Sequence, residues 1–329
     1  MRLRVAVIGS GGAGRAHAVG YAKLSDVEMV GVADINHTRA QALSEEVHTA
    51  PFSSYQDMIK QTRPDAVSVC TPESQHAEPT IYALSHGCHV LCEKIMAHDL
   101  KSGEQMVATA RNHQRMLAVN YNYRYIDSVI ALKQLIESEA LGELRMVSLN
   151  VHAYCHHHAL DLIRFWFGEF DQVTAVLTEN QAERHYGWNE ADTMLYIPSV
   201  NECTAIRIGK LAVSLNACHR AFSYPLMEIT CYGTNGRVKI SDMMINAING
   251  DLLIQHGGET TRIPGEPLGL DDMFYRSIEG WVDAVQGRRQ ISTSGLDGLR
   301  IMQIEAAISQ SHAAGIPVNL GQELGNTLP

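Results

Sequence analysis

Residues 5–14 read Val-Ala-Val-Ile-Gly-Ser-Gly-Gly-Ala-Gly, an apolar run that ends on Gly9, Gly11 and Gly14 at G-x-G-x-x-G spacing. No other stretch constrains the fold as strongly. It asks for a strand, then a turn too tight for side chains, then a helix whose first N–H groups face outward. The chain keeps that alternation afterwards. Apolar runs at 4–8, 29–33, 66–70, 89–92 and 116–119 read as strands, with helical patterns between them at about 15–24, 37–47, 76–86 and 99–113. In the last of these, Leu100, Met106, Val107 and Ala110 share one face. Nearly continuous apolar strands alternating with helices predict a doubly wound parallel sheet covered on both faces.

From about residue 125 the texture changes. A helix is predicted at 127–138, then extended runs at 144–154, 173–179, 193–197, 204–208, 212–217 and 227–232, with a helix at 158–167 inserted early. Gly209-Lys210, Asn235-Gly236, Asn249-Gly250 and Gly257-Gly258 supply the turns between strands. Asn-Gly is a strong hairpin signal because both central positions take positive φ. Helices at 271–287 and 295–314 follow. The expected organisation is a dinucleotide-binding domain over 1–125, then an α+β domain over 126–329 with an open, mostly antiparallel sheet. A length of 329 residues with 45% hydrophobic and 19% charged residues suits two such cores and excludes a disordered chain.

The formal net charge of −10 argues against nucleic-acid or anionic-membrane partners through bulk charge, and no run of 18 uncharged apolar residues occurs. Arg2 and Arg4 mimic the charged start of a signal peptide, but the glycines and Arg15 interrupt the apolar stretch. The cysteines are odd in number, seven, and most lie in apolar runs, as in Ala66-Val-Ser-Val-Cys70. A reduced, cytoplasmic protein is expected.

The glycine turn (Gly9, Gly11, Gly12, Ala13, Gly14) suits a pyrophosphate seated on the helix N-terminus. A turn kept only for packing is the plainer reading of such glycines. The strand before them, and Asp34 at the end of the second strand, favour a dinucleotide site. A carboxylate at Asp34 accepts hydrogen bonds from an adenosine ribose and repels a 2′-phosphate, so NAD is preferred to NADP. Arg39 keeps NADP open, since a nearby Arg can accept that phosphate. Past the third strand comes Thr71-Pro72 with His76, and past the fourth comes Glu93-Lys94. Both lie at C-terminal strand ends, where open α/β sheets bind ligands. Lys94 is a candidate for polarising a substrate oxygen, the plainer reading being a solvated charge. His76 either braces its loop or contacts the cofactor.

At these residues the sequence resembles the glucose–fructose oxidoreductase/inositol dehydrogenase/MocA-type (Gfo/Idh/MocA) oxidoreductases. The matching pieces are residues 9–14, Asp34, Thr71-Pro72 with His76, Gly87-Cys-His-Val-Leu-Cys-Glu93-Lys94 and Asn122-Tyr-Arg124-Tyr125. Further on come His158-Ala-Leu-Asp161, Gly168-Glu169 and Tyr232-Gly-Thr-Asn-Gly236. The resemblance spans nearly the whole chain. It implies NAD(P)-dependent oxidation of sugars, polyols or related hydroxy compounds, with subunits pairing through the second sheet as a homodimer or homotetramer. It also implies that Thr71, Pro72, His76, Glu93, Lys94 and Asn122 lie along the cofactor, with Arg124, Tyr125, His157 and Asp161 toward the substrate.

Two departures stand out. Relatives usually read Glu-Lys-Pro where this chain has Glu93-Lys94-Ile95, and losing the proline is expected to loosen that loop. The usual Asp four residues before the substrate-site His falls on Tyr154, and a Gly-rich stretch common in sugar-oxidising relatives is missing. His158 is the candidate base, because an imidazole titrates near neutrality, with Lys94 on the same oxygen. Tyr154 either hydrogen-bonds substrate or shares the proton transfer. Asp161, one turn later, either orients His158 or binds substrate. Arg124 and Tyr125 either contact substrate or bury their stems between domains. Tyr275 is a weaker pocket candidate, and Phe165-Trp166-Phe167 reads as core. His156, His157 and His158 beside Cys155 and near His152 raise a metal site; as successive strand residues they would not converge, so no metal is expected. The departures leave one alternative class, a non-catalytic dinucleotide-binding sensor.

Overall fold

The computed structural model describes residues 2–178, 185–188, 194–197, 201–218, 227–243, 250–265 and 268–321. They fall into two compact units, one built from 1–122 with 271–302, the other from most of the remainder.

In the first unit the predicted alternation is present. β1 (Leu3–Ile8), α1 (Gly12–Ala22), β2 (Val27–Ala33), α2 (His37–Glu46), β3 (Pro51–Phe52), α3 (Tyr55–Thr62), β4 (Ala66–Val69), α4 (Ala77–Ser85), β5 (His89–Cys92), α5 (Leu100–Asn112) and β6 (Leu117–Val119) follow one another. The strands form a parallel sheet in the order β3-β2-β1-β4-β5-β6. The order reverses direction beside β1, so the carboxyl ends of β1 and β4 flank a crevice of the kind that holds dinucleotides. Val5 and Val7 of β1 are fully buried with Tyr21, Val32 and Ala66. Residues 271–302 were grouped by pattern with the second domain. Instead Ile278, Trp281 and Val282, on the helix Leu270–Val285, pack into this same core. That helix carries a broad apolar stripe, and the sheet face over β1 supplies what the stripe needs to bury.

The second unit opens with α6 (Asp127–Glu137), β7 (Leu144–His152), α7 (His156–Phe167) and β8 (Gln172–Thr178). A two-stranded ribbon, β9 (His185–Trp188) with β10 (Met194–Ile197), comes next. Then follow β11 (Asn201–Ile208), β12 (Leu211–Cys218), β13 (Met227–Gly233), β14 (Gly236–Met243), β15 (Asp251–His256) and β16 (Glu259–Ile263). The helix Leu270–Val285, here α8, leads to α9 (Gly295–Ala314) and β17 (Val318–Asn319). Nine strands form one sheet in the order β16-β15-β14-β13-β7-β12-β11-β8-β17, antiparallel at every pairing but β7 with β12. Turns at Gly209-Lys210 and Gly257-Gly258 join hairpins as predicted. β13 and β14 also form a hairpin, but its turn falls on Thr234-Asn235, with Gly236 already in β14 and neither Asn235 nor Gly236 at positive φ. Asn249 lies outside the described residues.

Strand alternation divides this sheet sharply. Val147, Leu149 and Val151 of β7 and Val213 and Leu215 of β12 are buried on one face, and α7 packs against β7. On the other face Met146 is 48% and Val176 60% exposed. Two of the boundaries that differ from those predicted lie at the candidate site. The strand expected over 144–154 ends at His152, because the Tyr154 N–H donates to His152 Nδ1 at 3.2 Å and a 3₁₀ turn, Ala153–Cys155, replaces the ladder. The helix expected at 158 begins at His156. Among the described residues no helix is long and apolar enough to cross a membrane.

Candidate active site

Gly9 takes φ +94°, and a Cβ there would lie 2.5 Å from the Cys70 carbonyl oxygen. A Cβ on Gly14 would lie 1.9 Å from the Gly9 oxygen. Backbone occupies both places, so only glycine fits. A Cβ on Gly12 would meet nothing within 4 Å and would fill the open space before the helix. Gly11, the residue before α1, offers no side-chain cap, and the first helical bond runs from Arg15 N to Gly11 O at 2.8 Å. By contrast Asn36, Ser54 and Asp99 cap α2, α3 and α5 with their side chains. The N–H groups at the front of α1, Ala13 included, thus form an open positive end suited to a phosphate.

Asp34 closes the turn from the neighbouring strand. Its Oδ2 accepts from Ser10 N at 2.8 Å and Ser10 Oγ at 2.7 Å, and its Oδ1 from Asn36 N at 2.8 Å. Asn122 is buried, and its Oδ1 has no hydrogen-bond partner among the described residues. An uncapped helix start, a carboxylate beside it and an orphaned buried amide oxygen together fit a dinucleotide.

His76 is the residue with the clearest structural job. It is buried, its Nδ1 lies 2.7 Å from the Ile95 carbonyl oxygen, and its Nε2 lies 2.7 Å from that of Thr71. The ring is thus wedged between two backbone carbonyls, one of which accepts its N–H when the ring is neutral, and it bridges the Thr71-Pro72 loop to the segment just after Lys94. Burial pulls its pKa below the usual imidazole value, against the two carbonyls. Thr71 Oγ1 donates to Gln75 O at 3.1 Å, and Pro72 leads into a short 3₁₀ turn. The Lys94–Ile95 peptide is cis, and Ile95 is buried. Lys94 itself is half-buried, while Glu93 before it is buried with its carboxylate hydrogen-bonded to His17 and Asn120. Tyr275 sits on α8 with Lys23 Nζ 5.7 Å from its ring centroid.

In the second unit the candidate residues gather on the first two turns of α7, on the 3₁₀ turn before it and at Tyr123, Arg124 and Tyr125. Tyr123 stacks on His158, ring centroids 4.0 Å apart and 8° from parallel, while its hydroxyl lies 3.3 Å from Cys155 Sγ. Arg124 forks onto Asp161, Nε to Oδ2 at 2.8 Å and Nη2 to Oδ1 at 2.6 Å, with both side chains buried. The Arg124 guanidinium also lies 5.1 Å over the Phe165 ring. Tyr125 and Tyr154 are half-buried, and His157 is buried with its ring tilted against His158 at 4.7 Å.

The histidine run is helical rather than extended, so the argument from strand alternation does not apply to it. Successive helical residues point about 100° apart, and the three rings separate for that reason. His156 turns away from its neighbours, with Nε2 3.0 Å from Glu202 Oε2 and Nδ1 3.7 Å from Glu305 Oε1. Burial lowers its pKa, but the two carboxylates more than offset this and raise it to about 10. It thus stays cationic at neutral pH and anchors the start of α7 to β11 and α9. Phe165-Trp166-Phe167 is only partly core: Trp166 is buried and donates to Val129 O at 3.0 Å.

Sequence reasoning missed His17, Asn120 and Tyr123. His17 stands three residues after Gly14, and Asn120 directly follows an apolar strand. Polar residues in such places are detectable, but their partners are not.

Comparison with known proteins bears on these features. Residues 3–121 match the oxidoreductase family with an NAD-binding Rossmann fold, and residues 152–320 match the C-terminal α/β domain of the same family. D-glucoside 3-dehydrogenase of Escherichia coli (strain K12) is 26% identical over 97% of each chain. Inositol 2-dehydrogenase of Rubrobacter xylanophilus is 29% identical over 96% of this chain and 92% of its own. Among solved structures, the WlbA dehydrogenase of Bordetella pertussis, in complex with NADH and UDP-GlcNAcA, superposes with a TM-score of 0.79. It is 23% identical, with 97% of this chain and 98% of that one covered.

Proposed function

The chain belongs to the Gfo/Idh/MocA oxidoreductase family, and from that premise we propose that its substrate is a sugar, cyclitol or related hydroxy compound, with Lys94 and His158 as catalytic pair. It is an NAD-dependent oxidoreductase of the dehydrogenase type. The observation that carries the reading lies at one edge of the parallel sheet. There the glycine turn after β1, Asp34 after β2 and Lys94 after β5 all stand at carboxyl ends of strands.

NAD, when bound, supplies the hydride acceptor. The front of α1 holds its pyrophosphate, and Asp34 accepts from the adenosine ribose hydroxyls in place of its present Ser10 bonds. Asn122 offers its buried oxygen to the cofactor, while His76 braces the loops around it. At the substrate, Lys94 donates to the reacting oxygen and stabilises alkoxide character there. His158 accepts the hydroxyl proton, held flat by the Tyr123 ring. Tyr154 stands where relatives carry an Asp, and hydrogen-bonds the substrate. Tyr125 and His157 line the same segment of chain. Arg124 and Asp161 bury each other's charge, so their part is to fix α7 and not to meet substrate.

The test is a cofactor-reduction screen of NAD and NADP against sugars, inositols, sugar acids and their keto forms. Turnover of at least one polyhydroxy compound, faster with NAD, is the expected result. Faster turnover with NADP overturns the role of Asp34, and turnover confined to non-hydroxylated compounds overturns the substrate class.

The second unit's sheet pairs with another copy of this chain across its outer face. What supports this is a small apolar cluster on that otherwise polar face, where Met146 is exposed beside Ala212 and Val176 beside Cys203. Sedimentation at micromolar concentration is expected to give at least twice the mass of one chain; a single-chain mass overturns the pairing.

A further inference from the structure

Glu93 directly precedes Lys94, yet its side chain turns into the first unit and is buried. Three donors converge on it. His17 Nε2 lies 2.9 Å from Oε1, Asn120 Nδ2 donates to Oε1 at 2.7 Å, and the Lys94 N–H donates to Oε2 at 3.2 Å. Behind them, His17 Nδ1 lies 2.9 Å from Ser68 Oγ, which meets the Tyr21 hydroxyl at 2.8 Å. Ser68 serves as donor or acceptor, so the run closes with His17 donating to Glu93. The backbone is tied in the same place, with Glu93 N donating to Val69 O at 2.9 Å and Asn120 N to Cys92 O at 2.8 Å.

This cluster joins α1, β4, β5 and β6. His17 belongs to the helix that starts at the glycine turn, and its ring is fully buried. Burying a carboxylate is expensive, and an apolar group of similar volume would serve packing as well or better. Desolvation pushes the Glu93 pKa up, but the His17 bond and the charges of His17 and Lys94, with Asn120, more than offset it and bring it down to about 2. The carboxylate is therefore ionised at any working pH. Cys70, Cys92 and His76 also feel its charge.

We infer that Glu93, clamped by His17 and Asn120, is the positioning counter-charge of Lys94, fixing the backbone at Lys94 and favouring its protonated form. The clamp makes Lys94 answer to the helix that begins the dinucleotide turn, because His17 is rooted in that helix. The inference rests on the part proposed for Lys94, and deepens it.

Its first readout needs no substrate. Lysines labelled by reductive ¹³C-methylation are followed by NMR through the alkaline range, with the Lys94 signal identified by its loss in Lys94→Arg. In Glu93→Gln, which keeps the shape but not the charge, the Lys94 midpoint is expected to fall by about one pH unit. The other lysines are expected to hold still. A purely structural Glu93 would lower the melting temperature and leave that midpoint where it was. His17→Gln serves as the second variant: it leaves the Glu93 charge in place with less to offset it, so the Lys94 midpoint is expected to rise by a smaller amount, and kcat to fall about tenfold as the clamp loosens, with NAD affinity within about threefold. If Glu93→Gln does not fold, His17→Gln decides alone. An unmoved Lys94 midpoint in the folded variant overturns the inference. Undiminished turnover in Lys94→Ala would instead overturn the part of Lys94 itself.

Discussion

Lys94→Ala is expected to fold, to keep NAD within about tenfold of its normal affinity, and to lose about 10³-fold in kcat. The size follows from the charge it would withdraw. Removing one preorganised donor from a developing oxyanion typically costs about 10²–10³-fold, and a full positive charge in a partly desolvated site belongs at the upper end. Little stability goes with it, because the Lys94 side chain is half-buried and truncation opens no core cavity. His158→Asn should fall by about 10²–10⁴-fold, the usual range for a lost general base. The two should part company with pH. Losing the base leaves a rate that climbs with hydroxide, whereas losing Lys94 depresses the profile throughout. Steady-state kinetics on the substrate found by the screen decides this, and a wild-type kcat in either folded variant removes that residue from the pair.

Asp161→Ala carries the largest expected loss of stability. The fork between Arg124 and Asp161 has almost no solvent access, with side-chain exposures of 7% and 1%. Removing the carboxylate leaves a guanidinium that cannot shed its proton, so its burial goes uncompensated. Breaking such a pair costs about 3–5 kcal/mol. For a unit of this size that lowers the melting midpoint by roughly 10 °C. Arg124→Met with Asp161→Leu should recover most of the loss, since apolar groups need no partner. Calorimetry on the three proteins checks both halves. If the double variant melts below Asp161→Ala, the ion pair is not what the single change breaks.

How much of this was legible beforehand depended on the range of the interaction. The glycine turn announced itself because the pattern is written in consecutive letters, although only Gly14 is forced by a near neighbour, Gly9, while Gly9 is forced by the distant Cys70 carbonyl. Asp34 was legible for a similar reason, since strand length sets its distance from the turn. β3 and α3 went unread: a two-residue strand led by Pro51 has no periodicity, and the eight-residue helix after Ser54 is short. In the second unit the hairpins were visible and the parallel pairing of β7 with β12 was not, because register depends on partners far along the chain. The site divided the same way. His158 and Asp161 were singled out, but the Asp161 carboxylate is gripped by Arg124, and a Tyr stacks on His158. Both partners come from a segment more than thirty residues earlier. His76 was left between two readings, and the two carbonyls that face its ring come from loops no local pattern brings together. Buried polar groups are chosen by three-dimensional neighbours, and a sequence shows only their chemical type.

The late helix α8 has a consequence for how the protein is made. Ile278, Trp281 and Val282 complete a core begun by Val5 and Val7, yet roughly 150 residues of chain separate them from Asn122. At ordinary elongation rates of about 5–20 residues per second, the N-terminal sheet emerges from the ribosome some 7–30 seconds before the helix that covers it. During that interval the apolar face over β1 is open to solvent and to chaperones, while all of the second sheet but β17 is being synthesised. Truncating after β6 would make that interval permanent. A free-standing nucleotide module therefore has to be cut from this chain with residues 271–302 rejoined to it, and expression of residues 1–125 alone leaves a sheet with one flank missing.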